Sequence, residues 1–148
     1  MKSMYLLLAA LLWPGHVLAQ SVAENCPELP SNSSLHWEAL AGPDFVFCKA
    51  MRESDGSQAF SVMLRAESAF RPERALREDK AVIDGHKVSW YRGEVATRQN
   101  VHVRETLVEL GRKSTAHIVL RADSEAQLAE NQLLAESLRF RPTSVGGD

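Results

Sequence analysis

Ala81-Val82-Ile83-Asp84-Gly85-His86-Lys87-Val88-Ser89-Trp90 decides the fold. Asp-Gly between two alternating apolar runs is the strongest short hairpin signal, because a two-residue turn that matches strand twist needs positive φ at both positions. Val88 and Trp90 share one face of the second strand, which runs over 86–92 and places Trp90 in the core. A chain with a hairpin here folds around an antiparallel sheet.

Working outward, the same alternation recurs. Residues 44–51 set Phe45 and Phe47 against Val46 and Cys48, and residues 59–65 put Phe60, Val62 and Leu64 on one face. Glu53-Ser54-Asp55-Gly56-Ser57 between them is turn chemistry. Residues 101–110 and 115–122 form a third hairpin across Gly111-Arg112-Lys113-Ser114. A symmetric loop there sets Leu107 opposite Ile118, Glu105 opposite Leu120, Arg104 opposite Arg121 and His117 opposite Val108. Val101, Val103, Leu107, Ile118 and Leu120 then make the inner face. Facing arginines are unfavourable. That register therefore implies either an offset of one residue or an anion or carboxylate between the two.

Ser124-x-x-Gln127 is a capping box, and Asp123 and Glu125 suit the positive end of a helix dipole. Ala126, Ala129, Leu133, Leu134 and Leu138 give a helical stripe. Phe140 anchors the end before Pro142. Residues 70–80 are charged, with Pro72 at a good first helical position, and read as a short helix or an exposed loop. The expectation is an α+β domain over 44–142, with about six antiparallel strands and one face covered by the C-terminal helix. A frayed tail follows over 143–148.

The N-terminus reads as a secretory leader over 1–19. Lys2 is its positive end, Leu-rich residues follow up to Trp13, and Val17-Leu18-Ala19 offers the cleavage site, with Ala23 as a second option. The uncharged run is shorter than the ~20 residues a spanning helix needs, which disfavours an uncleaved anchor, and no second apolar run approaches that length, so no stable membrane insertion is expected after cleavage. Cys26 follows Ala23-Glu24-Asn25, a poor lipidation context. Residues 20–43 read as an extended segment. Export favours a Cys26–Cys48 disulfide that ties this segment to the sheet. No C-x-x-C is present, which disfavours a thiol-redox role. The setting fits a bacterial periplasm, where Asn32-Ser33-Ser34 carries no glycan meaning.

Composition excludes several classes. The chain has 148 residues, 17 Lys+Arg against 19 Asp+Glu, and 45% apolar residues. It is too apolar to be disordered, and its charge is too balanced for a nucleic-acid binder. Catalytic motifs with strict spacing are missing from the sequence: no G-x-S-x-G, H-E-x-x-H, phosphate-binding loop or dinucleotide fingerprint. His36, His86, His102 and His117 read as scattered surface residues, with no metal and no cofactor expected. Glu105 and Glu109 lie on one strand face, about 13 Å apart by strand rise, too far for a glycosidase pair. They read as carboxylates near a sheet end that reach water or an Arg. No catalytic residue is assigned. Trp90-Tyr91-Arg92-Gly93-Glu94 combines aromatic and charged groups of the type enriched in binding hot spots. Glu53, Asp55, Tyr91, Arg92 and Glu94 are the expected partner-contact residues.

With a leader, a compact domain and the segments Asp44-Phe45-Val46-Phe47-Cys48 and Ala116-His117-Ile118-Val119-Leu120 before a helix, the chain resembles small exported proteobacterial proteins. Among these are the periplasmic immunity proteins that block type VI secretion effectors. The resemblance implies a non-catalytic protein that binds one exported toxic hydrolase and plugs its substrate groove. In layout alone, a sheet with one helix is also similar to the PsbP-like fold, which implies a small-ligand or envelope-assembly accessory module. A hydrolase built from unpatterned residues is a third class.

Overall fold

The computed structural model describes residues 22–93 and 100–141. The leader, Glu94 and the tail over 143–148 lie outside the described residues. Seven strands form one sheet: β1 (Leu35–Ala41), β2 (Phe45–Arg52), β3 (Gln58–Arg65), β4 (Arg77–Ile83), β5 (His86–Arg92), β6 (His102–Gly111) and β7 (Ser114–Ala122). Their order is β1-β2-β3-β7-β6-β5-β4, and every pairing is antiparallel. One helix, α1 (Glu125–Glu136), follows. The α+β architecture stands, with seven strands where the alternation predicted about six.

The additional strand is β1, in the segment read as an extended tether. Trp37 and Ala39 point to the same face as their partners Ala50 and Cys48 on β2. The Cys26–Cys48 disulfide, with Cα atoms 6.0 Å apart, lays the preceding segment over that face. The Trp37 indole N–H donates to the Pro27 carbonyl at 2.7 Å. Glu28 and Arg139 exchange backbone hydrogen bonds, so the N-terminal segment and the chain after α1 meet over the sheet.

The inner face is the core. Phe60, Val62, Ile118, Leu120, Val108, Ile83 and Trp90 are completely buried on it. The Trp90 indole N–H donates to Glu136 of α1 at 2.8 Å, so the largest core side chain keeps its one polar group satisfied. Ser124 caps α1 as expected, its hydroxyl accepting from the Gln127 N–H at 3.1 Å.

Two sequence expectations change. The β6–β7 register slips by one residue. Gly111 pairs with Ser114, but an irregularity next to it sets Glu109 opposite Thr115 and carries the offset along the ladder. Arg104 therefore faces Leu120 and not Arg121, and the like-charge conflict disappears. The strand period is two, so the slip also turns Val103 and Leu107 to the outer face and brings Thr106 and Val108 inside. The buried positions of α1 are Leu128, Asn131 and Ala135, and Leu138 just beyond it is buried as expected, while Leu133 stays 67% exposed. Asn131 can take a fully buried position because both ends of its amide are hydrogen-bonded. Its oxygen accepts from the Arg52 guanidinium, and its nitrogen donates to the Arg121 carbonyl at 3.1 Å.

Residues 70–80, expected as a short helix or an exposed loop, divide between the connection over 66–76 and strand β4. Residues 66–76 leave β3 at one end of the sheet and enter β4 at the other. The connection crosses the outer face as a strap, and only Arg74–Leu76 form a 3-10 turn. The charged stretch from Arg77 becomes the first half of edge strand β4, exposed residue by residue.

Candidate functional site

The outer face of β5, β6 and β7 carries the chemistry. His117 on β7 lies opposite Leu107 on β6, which makes Glu105 its diagonal neighbour. The Glu105 carboxylate meets the His117 Nε2 at 3.1 Å. The strap drops Phe70 onto this pair. Its ring stacks on the imidazole with centroids 4.6 Å apart and planes 9° apart, and meets Tyr91 edge-on at 6.0 Å. The Arg77 guanidinium lies 6.0 Å from the Tyr91 ring centroid. Ser68 holds the strap's bend, its hydroxyl accepting from the Phe70 N–H at 3.1 Å. Burial pushes the His117 imidazole below its ordinary value, and the Glu105 carboxylate partly offsets that. A histidine with one ring face covered and its Nε2 committed to a carboxylate is arranged to hold the strap.

Beside this cluster the sheet splits. β5 and β6 pair at Tyr91–Glu105 and Arg92–Arg104, and the Gly93 N–H reaches the Val103 carbonyl at 3.0 Å. There a Cβ on Gly93 would lie 2.4 Å from the Val103 side chain, so the close approach requires glycine. Beyond Tyr91 the ladder stops. Instead, the Thr106 hydroxyl donates to the Ser89 carbonyl at 2.7 Å, satisfying a strand oxygen that lacks a ladder partner. Continuing the register would set Ser89 opposite Leu107 and Lys87 opposite Glu109.

The split opens a cleft of about 830 Å³. Its apolar side chains come from Val82, Leu107 and Pro72 of the strap, and Tyr91 closes one end. Lys80 and Lys87 lie on one wall and Glu109 on the other. None of these three forms an ion pair among the described residues. Val82, at 57% exposed, is one of the large apolar side chains left to solvent.

The described residues expected to contact a partner, Glu53, Asp55, Tyr91 and Arg92, do not form one patch. Glu53 and Asp55 lie in the β2–β3 turn, both exposed. The Asp55 carboxylate accepts from the Ser57 hydroxyl and N–H, which hold it below the ordinary carboxylate value. Strands β7 and β6 separate β3 from β5, about 14 Å at the usual strand spacing. Tyr91 lies on the outer face at the cleft. Its neighbour Arg92 alternates to the other face and reaches Glu78 at 3.7 Å. Of the four that are described, Tyr91 alone lines the cleft, and Glu94 lies outside the described residues.

Glu105 and Glu109 do share a face, but Glu105 pairs with a histidine instead of an Arg, and Glu109 lines the cleft. His102 sits on the inner face, 3.0 Å from Glu125, so it and His117 lie on opposite sides of the sheet. Among the described residues, no three His, Cys, Asp or Glu side chains gather as metal ligands would. No helix among them is long and apolar enough to cross a membrane. The sequence reading gives Phe70, Lys80 and Lys87 no site role, and it places Leu107 on the inner face, whereas the register turns it into the cleft. The strap crosses to residues far along the chain, and no local pattern announces that.

Comparison with protein-family models, with curated proteins and with solved structures finds no match.

Proposed function

We propose that this chain is an exported, non-catalytic binding protein of the bacterial periplasm. It binds one exported protein, a cell-wall-targeting hydrolase, and blocks it in the manner of an immunity or inhibitor protein. The observation that carries the binding reading is the outer face. The core sits on the opposite side, so this face is free to present a preformed cleft and a braced strap without disturbing the fold. Phe70, stacked on His117 and edge-on to Tyr91, fixes the strap across three strands. A rigid surface loses little entropy when it docks. The Cys26–Cys48 disulfide and the leader-like N-terminus support export. The covered His117 supports a structural use of the Glu105–His117 pair.

The test is capture followed by titration. Tagged protein expressed with its leader in its native source is purified, and co-purifying proteins are identified by mass spectrometry. A captured hydrolase is then assayed against increasing amounts of the purified domain. Activity that falls to background at equimolar protein supports the reading, and activity that persists rejects it.

A second reading, a small-ligand or envelope-assembly accessory module, is favoured by the cleft itself. Its volume lies in the range of about 300–1,000 Å³ typical of ligand sites. Both readings use Tyr91 as a contact residue.

A further inference from the structure

We infer that the cleft between β5 and β6 binds a short zwitterionic peptide-like molecule. Its carboxylate is received by Lys87 and Lys80, its ammonium by Glu109, and its apolar side chains by Val82 and Leu107. This goes beyond the proposed partner protein and does not depend on it.

Three observations combine. The first is the interrupted ladder. Antiparallel neighbours pair along their length unless something opposes it, because unpaired strand backbone is costly away from water. Here pairing ends after Tyr91, and Thr106 covers one freed carbonyl with its hydroxyl. The second is charge placement. Lys87 and Glu109 would be direct partners in a continued ladder, where opposite charges attract. They stand across the opening without forming an ion pair, one sign on each wall, and Lys80 adds a second cation on the Lys87 side. The third is the apolar surface between the walls, with Val82 and Leu107 available and Tyr91 at the end.

A simple acid would leave Glu109 facing the ligand unpaired, and a simple amine would leave both lysines so. A molecule with both charges, separated by apolar groups, satisfies the cleft as it stands. Its backbone N–H and C=O groups also suit the strand edges left open at Lys87 and Leu107.

The experiment is calorimetry and amide chemical-shift mapping with the dipeptide leucyl-leucine. It is compared with N-acetyl-leucyl-leucine, which lacks the ammonium, and leucyl-leucinamide, which lacks the carboxylate. The expected result is saturable one-to-one binding, with shifts confined to β4, β5 and β6. Each blocked form should bind about tenfold more weakly, as loss of one charge-assisted contact implies. Lys87→Gln should weaken the free dipeptide but not the amide. Glu109→Gln should weaken the free dipeptide but not the acetylated form. Both side chains are exposed, so the variants keep the fold, and their far-ultraviolet dichroism confirms it. No saturable binding, equal binding of all three peptides, or shifts elsewhere would overturn the proposal. So would sedimentation showing a dimer whose interface covers the cleft. Failure of hydrolase inhibition leaves this result untouched, and the reverse holds too.

Discussion

The imidazole of His117 lies flat against the phenyl ring of Phe70, with centroids 4.6 Å apart. Together with the edge contact of Phe70 on Tyr91, it joins strands in the middle of the sheet to the connection that crosses them. It makes the outer face a fixed surface.

The contact gives the fold an acid limit. Burial holds the folded-state value of His117 below the ordinary 6.5, with Glu105 opposing only in part. The unfolded chain therefore binds more protons than the folded chain between those two values, and stability rises with pH in that window. The His117 contribution is fully present above about pH 6.5 and is lost as pH falls through the folded-state value. Urea midpoints of the wild type and His117→Gln, compared at about pH 7.5 and about pH 5.5, isolate this term. The wild type should lose more stability on acidification than the variant. An equal loss would contradict the account.

Phe70→Ala should release the strap. The variant loses two aromatic contacts and part of its burial, about 2 kcal/mol in all. Limited proteolysis should then cut within residues 66–76 faster than in the wild type, while the β6–β7 amides remain protected from exchange. Unchanged cleavage would mean that Phe70 does not hold the strap.

Asn131→Ala should be among the more damaging single changes on α1. It removes a fully buried amide that accepts from the Arg52 guanidinium, which also faces Glu130, and that donates to the Arg121 carbonyl. Orphaned buried polar groups cost about 1–3 kcal/mol each. Leu133→Ala, on the exposed side of the same helix, should cost well under 1 kcal/mol, as expected for a surface position. Thermal or urea unfolding of the two variants reads the difference directly.

Much of the sheet was legible in the sequence. Asp84-Gly85 turned as expected because both residues take positive φ, 48° and 80°. Ile118 and Leu120, and Phe60 and Val62, lie on the face their alternation assigned. The β6 face was not legible, because the irregularity beside Gly111 shifts pairing by one residue and sequence symmetry cannot locate it. The buried positions of α1 include an amide that an apolar count passes over. The first half of β4 was hidden by its charge, since an edge strand exposed on both sides carries no alternation. The cleft was the least visible feature. It arises where two strands part, and its residues come from β4, β5, β6 and the strap.

Reduction of Cys26–Cys48, which spans 22 residues, should cost about 3 kcal/mol in the chain-entropy view. The loss should appear first as exchange of β1 and residues 22–34, because the disulfide ties that segment over the inner face. A Cys26→Ser, Cys48→Ser double variant with wild-type unfolding midpoint would contradict this placement.

The most direct test of the central claim is the titration of a captured exported hydrolase with the purified domain, run beside Tyr91→Ala. The account predicts complete inhibition at one domain per enzyme, with the variant needing a clear excess to reach the same point. Full hydrolase activity in the presence of excess wild-type domain would contradict it.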